Sequence, residues 1–144
     1  MKKKKSKRNQ IQKRSLPWKR YLLLINKLYY AIDWVEEEFD AIVAISRGGN
    51  IIGTILSHRT RLPLEVIKKD HVLSFRGKVL IVDDIADTGS TLLHVISNLK
   101  SGTSYKTATL HAQPHSKHKP NYFVSTVRNW VVYPYEKFRK RKRR

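Results

Sequence analysis

The sequence predicts an α/β domain, a single mostly parallel sheet flanked by helices, and three observations carry that prediction. Short, continuous apolar runs such as Ala41–Ile45 and Val79–Val82 fit strands buried on both faces, as parallel strands are. Segments with helical spacing of apolar residues separate them. Two of the runs end in polar, glycine-bearing turns, SRGG and DDIADTGST, and ligands of parallel α/β sheets sit at such carboxyl ends.

The elements follow in order. From Pro17, a first-turn residue, WKRYLLLINKLYYAIDWVEEEF predicts one helix with Leu24, Leu28, Ile32 and Val35 on its apolar face. Ala41–Ile45 is the first strand, and SRGGN is a turn. Apolar residues at 51, 52, 55 and 56 predict a helix from Ile51 to Arg59. LPLEVI reads as a second strand, and residues 68–78 as a polar connection. After Val79–Val82, TGST opens a helix with Leu92, Leu93, Ile96 and Leu99 on one stripe and Gly102 as its C-cap. KTATLHA, Tyr122–Val124 and Trp130–Tyr133 read as further strands. Strand–helix–strand–strand–helix–strand implies right-handed crossovers. It puts both polar turns on one rim.

The chain has 144 residues and a formal charge of +19, which suits one domain of unusual basicity. Residues 1–14 hold eight Lys/Arg and residues 137–144 hold seven, with no acid in either. These tails carry +15 and residues 15–136, the expected domain, carry +4. Blocks of like charge are expected to be disordered until they meet a polyanion. They serve either as solubilising tails or as contacts to nucleic acid, without sequence specificity. Cysteine is absent, which excludes disulfides and thiolate metal sites. No apolar run approaches the roughly 18 residues of a membrane span. The charged N-terminus lacks the apolar stretch of a signal peptide, and a cytoplasmic protein is the expectation.

The chemistry concentrates in the two turns. Asp87, Thr88, Gly89, Ser90 and Thr91 open a helix whose free N–H groups and dipole suit a terminal phosphate; the same residues would also serve as a plain N-cap. Neither GxxxxGK[ST] nor GxGxxG is present. Asp83 and Asp84 leave a buried strand together. Adjacent carboxylates repel, so the pair makes sense facing sugar hydroxyls or a hard divalent cation. Strand alternation aims the two side chains differently. His111, His115 and His118 fall within eight residues but fit no zinc spacing.

VLIVDDIADTGST closely resembles the phosphoribosyl-diphosphate signature of the type I phosphoribosyltransferases. SRGG is similar to that family's pyrophosphate loop, and WVVYPYE to the closing segment of its xanthine-guanine and hypoxanthine branch. The resemblance covers residues 17–136. It implies transfer of the phosphoribosyl group to guanine, xanthine or hypoxanthine, with release of pyrophosphate and Mg²⁺ as cofactor. It assigns Asp87 to Thr91 to the 5′-phosphate, and Asp83 and Asp84 to the ribose hydroxyls or the metal. Ser46, Arg47, Gly48 and Gly49 take the pyrophosphate, in a loop the family often builds with a non-proline cis peptide. Asp87 also takes the proton of purine N7, Trp130 stacks on the base and the backbone of Val131 reads its edge, so the C-terminal segment is a small base-binding unit.

Three residues or segments depart from the family pattern. Residues 68–78 are shorter than the usual mobile loop, although Lys68, Lys69 and Arg76 are within reach of a diphosphate. Gln113, in HAQP, stands where a lysine contacts the purine 6-oxygen. Tyr135 replaces a tryptophan, read as a packing change. The family commonly forms dimers or tetramers, and Tyr29 and Tyr30 are the expected interface residues. The competing expectation is a nucleic-acid-binding or regulatory protein on the same fold, motivated by the basic tails and the short loop.

Overall fold

The computed structural model describes residues 13–71, 73 and 76–138. The element order is β1 (Lys13–Ser15), α1 (Trp18–Ala31), α2 (Trp34–Glu37), β2 (Ala41–Ile45), α3 (Asn50–Thr60), β3 (Leu64–Ile67), β4 (Gly77–Val82), β5 (Ile85–Ala86), α4 (Ser90–Ser97), β6 (Thr103–Ala112), β7 (Tyr122–Thr126) and β8 (Trp130–Val132). A 3-10 turn, Pro134–Phe138, closes the described chain. A six-stranded sheet runs β3-β2-β4-β6-β5, with β7 on β6, and every pairing is parallel. β1 and β8 form a separate parallel pair.

Strand periodicity divides the core in two. Ile42, Leu80 and Val82 join the buried faces of α1 (Tyr21, Leu24, Ile25, Leu28) and α3 (Ile52, Leu56). Ala41, Val43, Ile45, Val79 and Ile81 face the other way, onto Leu92 and Val95 of α4. The sheet is thus covered on both faces, and this is why its central strands are continuous apolar runs. Burying one such leucine contributes about 1.5–3 kcal/mol.

Several expectations are corrected. The single helix from Pro17 breaks at Ile32, which is extended, and Asp33 accepts a hydrogen bond from Glu36 N–H to start α2. Val35 therefore leaves the apolar face and is 86% exposed. In α4 the buried stripe is Leu92 and Val95, while Leu93 turns outward. The helix ends at Ser97, so Gly102 is not its C-cap; it has φ +86 in the turn before β6. The expected tail boundary at residue 14 falls inside β1. Residues 1–12 and 139–144 lie outside the described residues.

Candidate functional site

β2 and β4 are hydrogen-bonded neighbours, with Ala44 opposite Val82, so both turns emerge together. Gly49 N–H donates to Ile45 O and starts the turn into α3. A Cβ on Gly49 would lie 2.3 Å from Val82 O, so only glycine lets this loop lie against the end of β4. A Cβ on Gly48 would lie 2.5 Å from the Asp84 carboxyl carbon. The two turns are therefore in direct contact, glycine against carboxylate. The Ser46–Arg47 peptide is cis.

Three cavities open on this rim. The first, about 210 Å³, is lined by Asp83 to Gly89 with Thr91 and Leu92. Gly89, at φ +82, caps α4, a conformation that favours glycine. Thr88 Oγ1 accepts from Ser90 N–H and donates to Ser90 Oγ. Ser90 is exposed and does not line the cavity. The loop after β6 packs against this turn: Lys117 N–H donates to Thr88 O, and a Cβ on Gly89 would meet His118 N at 2.6 Å.

The second cavity, about 170 Å³, brings together Gln113, Trp130, Val131, Tyr133, Glu136, Asp84, Ile85 and Asp87. Trp130 is half-exposed over it, and Gln113 is nearly buried, 3.4 Å from Asn129 O. The third, about 540 Å³, is lined by Arg47, Gly48, Asn50, Asp84, Tyr135, Glu136 and other residues. Ser46 and Gly49, on either side of Arg47 and Gly48 in the chain, do not line it. The Asn50 side-chain oxygen is buried without a hydrogen-bond partner among the described residues. Asp84 borders all three cavities, and Asp87 borders the first two.

Burial drives the carboxyl of Asp83 well above the usual carboxylate range, with the neighbouring Asp84 charge adding to it. Burial also raises Asp84, opposed by the Tyr135 hydroxyl that donates to its Oδ2. Neither makes an ion pair among the described residues. Two adjacent carboxylates without an ion-pair partner among the described residues, beside the Arg47 loop, fit a hard divalent cation. No group of three or more ligating side chains exists among the described residues, so such a cation would complete its shell with water and substrate oxygens.

The closing segment does more than the sequence indicated. Tyr135 is not a packing substitution, because it hydrogen-bonds Asp84. Tyr133 OH donates to the main-chain oxygen of Asp84 at 3.1 Å and accepts from His111 Nδ1 at 2.9 Å. Burial, then the Asp84 charge, raises both phenols far above their ordinary value, so they act as donors. Burial pushes His111 down to about 4, helped by Arg14 and Arg20, so its ring is neutral. His118 bonds Thr107 and His115 sits 3.4 Å from Asp87, so the three histidines serve different partners. The one available signal for Tyr135 was its departure from the family's tryptophan.

A phosphoribosyl transferase domain model matches residues 74–137. A purine phosphoribosyltransferase from Pyrococcus horikoshii Ot3 is 29% identical, with TM-score 0.74 over 92% of this chain and 99% of that one. A Helicobacter pylori xanthine-guanine-hypoxanthine phosphoribosyltransferase is 20% identical, with TM-score 0.77 over 87% of this chain and 94% of that one. An orotate phosphoribosyltransferase from Aeropyrum pernix is 21% identical, with TM-score 0.64 over 75% of this chain and 71% of that one. The last two are likenesses of fold. No curated protein matches the sequence.

Proposed function

We propose, from the premise that this chain is a phosphoribosyltransferase by domain and by fold, that its substrates are phosphoribosyl diphosphate and a 6-oxopurine: guanine, xanthine or hypoxanthine. The observation that carries this reading is the meeting of three chemically distinct cavities at Asp84. One has the helix start and hydroxyls for a 5′-phosphate. One has an aromatic and an amide for a base. One has Arg47 for the diphosphate side.

In the proposed reaction the base nitrogen attacks C1 of the ribose as the bond from C1 to the diphosphate oxygen breaks. Asp87, on the wall shared by phosphate and base cavities, takes the proton the purine loses. Asp83 and Asp84 hold the ribose hydroxyls. Arg47 receives charge on the departing pyrophosphate. Asp83 and Asp84 are the residues that would hold Mg²⁺, which would supply further neutralisation of that charge. Trp130 stacks on the purine, the Val131 backbone reads its edge, and Gln113 donates to the 6-oxygen without a charge. The active form is a homo-oligomer, a dimer or tetramer, whose contact uses the α1 face bearing exposed Trp18, Leu22, Leu23 and Tyr30; sedimentation velocity checks this.

Pyrophosphate release with guanine, xanthine, hypoxanthine, adenine and orotate, with and without Mg²⁺, tests the proposal. Turnover of a 6-oxopurine is expected. Binding of phosphoribosyl diphosphate without turnover of any base refutes the catalytic reading.

A second reading, contact with nucleic acid, is favoured by where the basic segments attach. Lys13 pairs in register with Trp130, and Phe138 lines the Arg47 cavity, so both basic segments join the fold at the site's rim. Salt-dependent binding of duplex DNA and RNA, compared with a chain lacking residues 1–12 and 139–144, decides it. Unchanged affinity after truncation refutes it.

A further inference from the structure

We propose that Tyr135 is a positioning residue: its hydroxyl fixes the plane of the Asp84 carboxylate, and through it the grip on phosphoribosyl diphosphate. This rests on the reading that Asp84 meets the ribose.

Asp84 is restrained on several sides. Its N–H donates to Asp83 Oδ1 at 2.8 Å, and Gly48 closes the front of its carboxylate. The Tyr135 hydroxyl donates to Oδ2. Anchoring one oxygen sets the direction in which the other faces the three cavities. A hydrogen bond to a carboxylate is among the stronger ones available for this task.

Tyr135 is itself rigid. Its ring stacks on Tyr133, with centroids 5.8 Å apart and planes 4° from parallel. It meets the edge of Tyr21 at 5.9 Å. Tyr133 is fixed by His111 Nδ1, and its own N–H donates to Glu136 Oε2 at 3.0 Å. The two stacked tyrosines thus hold Asp84 at both its main-chain oxygen and its side chain. Asp84 meets the ribose in this reading and Tyr135 borders the Arg47 cavity and not the Trp130 cavity, so the loss should fall on the diphosphate substrate rather than on the base.

Tyr135→Phe keeps both ring contacts and removes only the hydroxyl. Tyr122→Phe is the control, since it removes a hydrogen bond to Glu37, a carboxylate far from the site. Calorimetric titration with phosphoribosyl diphosphate, with Mg²⁺ and with chelator, is paired with steady-state KM for the base and with melting temperatures. In Tyr135→Phe the dissociation constant for phosphoribosyl diphosphate should rise about tenfold, the size of one hydrogen bond to a charged acceptor, while the base KM stays within about twofold. In an Asp84→Ala background, which leaves no side-chain acceptor, the same change should have little effect, because the hydroxyl acts through that carboxylate.

An unchanged dissociation constant overturns the proposal. So does a parallel loss of base affinity with melting well below that of Tyr122→Phe, which marks a structural role. Additivity with Asp84→Ala overturns it too, and assigns Tyr135 a direct contact. If the unmodified chain fails to bind phosphoribosyl diphosphate, the proposed function fails first and takes this inference with it.

Discussion

Gly48→Ala should disable the site while leaving the fold largely intact. The glycine is not held in the left-handed region, so an added methyl costs no backbone strain. It does cost space. The new Cβ would lie 2.5 Å from Asp84 Cγ and Oδ2 and 2.7 Å from Oδ1, whereas ordinary contact begins at 3.4 Å. Either the Ser46–Gly49 loop or the carboxylate must move by roughly 1 Å, and a displacement of that size in positioned catalytic groups costs about a hundredfold in rate. That is about 2.7 kcal/mol of transition-state stabilisation.

The assay is kcat/KM from pyrophosphate release, alongside melting temperature. Gly102→Ala is the counterpart. Gly102 has φ +86 and nothing within 4 Å of its would-be Cβ. Forcing alanine there should cost about 1–2 kcal/mol of stability and leave kcat/KM unchanged. The reasoning is refuted if Gly48→Ala retains kcat/KM within about threefold of the parent, a loss too small for a displaced Asp84.

Trp130→Ala should raise the base KM by about tenfold or more, since stacking one base on an aromatic is worth about 1–3 kcal/mol, with phosphoribosyl diphosphate affinity unchanged. Equal loss for both substrates would move Trp130 out of the base role. His111 gives a pH dependence. Its folded value is about 4 against an ordinary 6.5, so between them the unfolded chain binds the extra proton, and stability is lost as pH falls through that interval. The loss is at most about 3 kcal/mol. Asp83 and Asp84, shifted upward, act with the opposite sign, so the parent must be compared with His111→Asn by urea unfolding at about pH 4.5 and about pH 7. The difference between the two proteins should grow in the parent's favour toward pH 7; a constant difference refutes it.

Much of the site was legible because the signals are local. β2 and β4 are buried on both faces, so they are unbroken apolar runs, and their parallel pairing brings SRGG and DDIADTGST together. The turn proposed to take phosphate is marked by its composition. What escaped is long-range or lacks a hydrophobic signal. β1 is KRS, exposed throughout, and exists because β8 offers it a partner. The break at Ile32 hides inside a continuous apolar period and depends on the Asp33 cap. Tyr135 and Asp84 are 51 positions apart, so no local pattern records their hydrogen bond. Position in the closing segment pointed to the Trp130 cavity, but not to the hydrogen bond by which the same segment holds Asp84.

The central claim is that one rim, organised around Asp84, accommodates phosphate, ribose and purine together. A crystal structure of the chain with a purine nucleoside monophosphate tests this most directly. The account predicts the phosphate against the Thr88–Thr91 turn, the ribose hydroxyls at Asp83 and Asp84, and the purine on Trp130 with its 6-oxygen toward Gln113. A nucleotide bound elsewhere, or one whose phosphate avoids that turn, would contradict it.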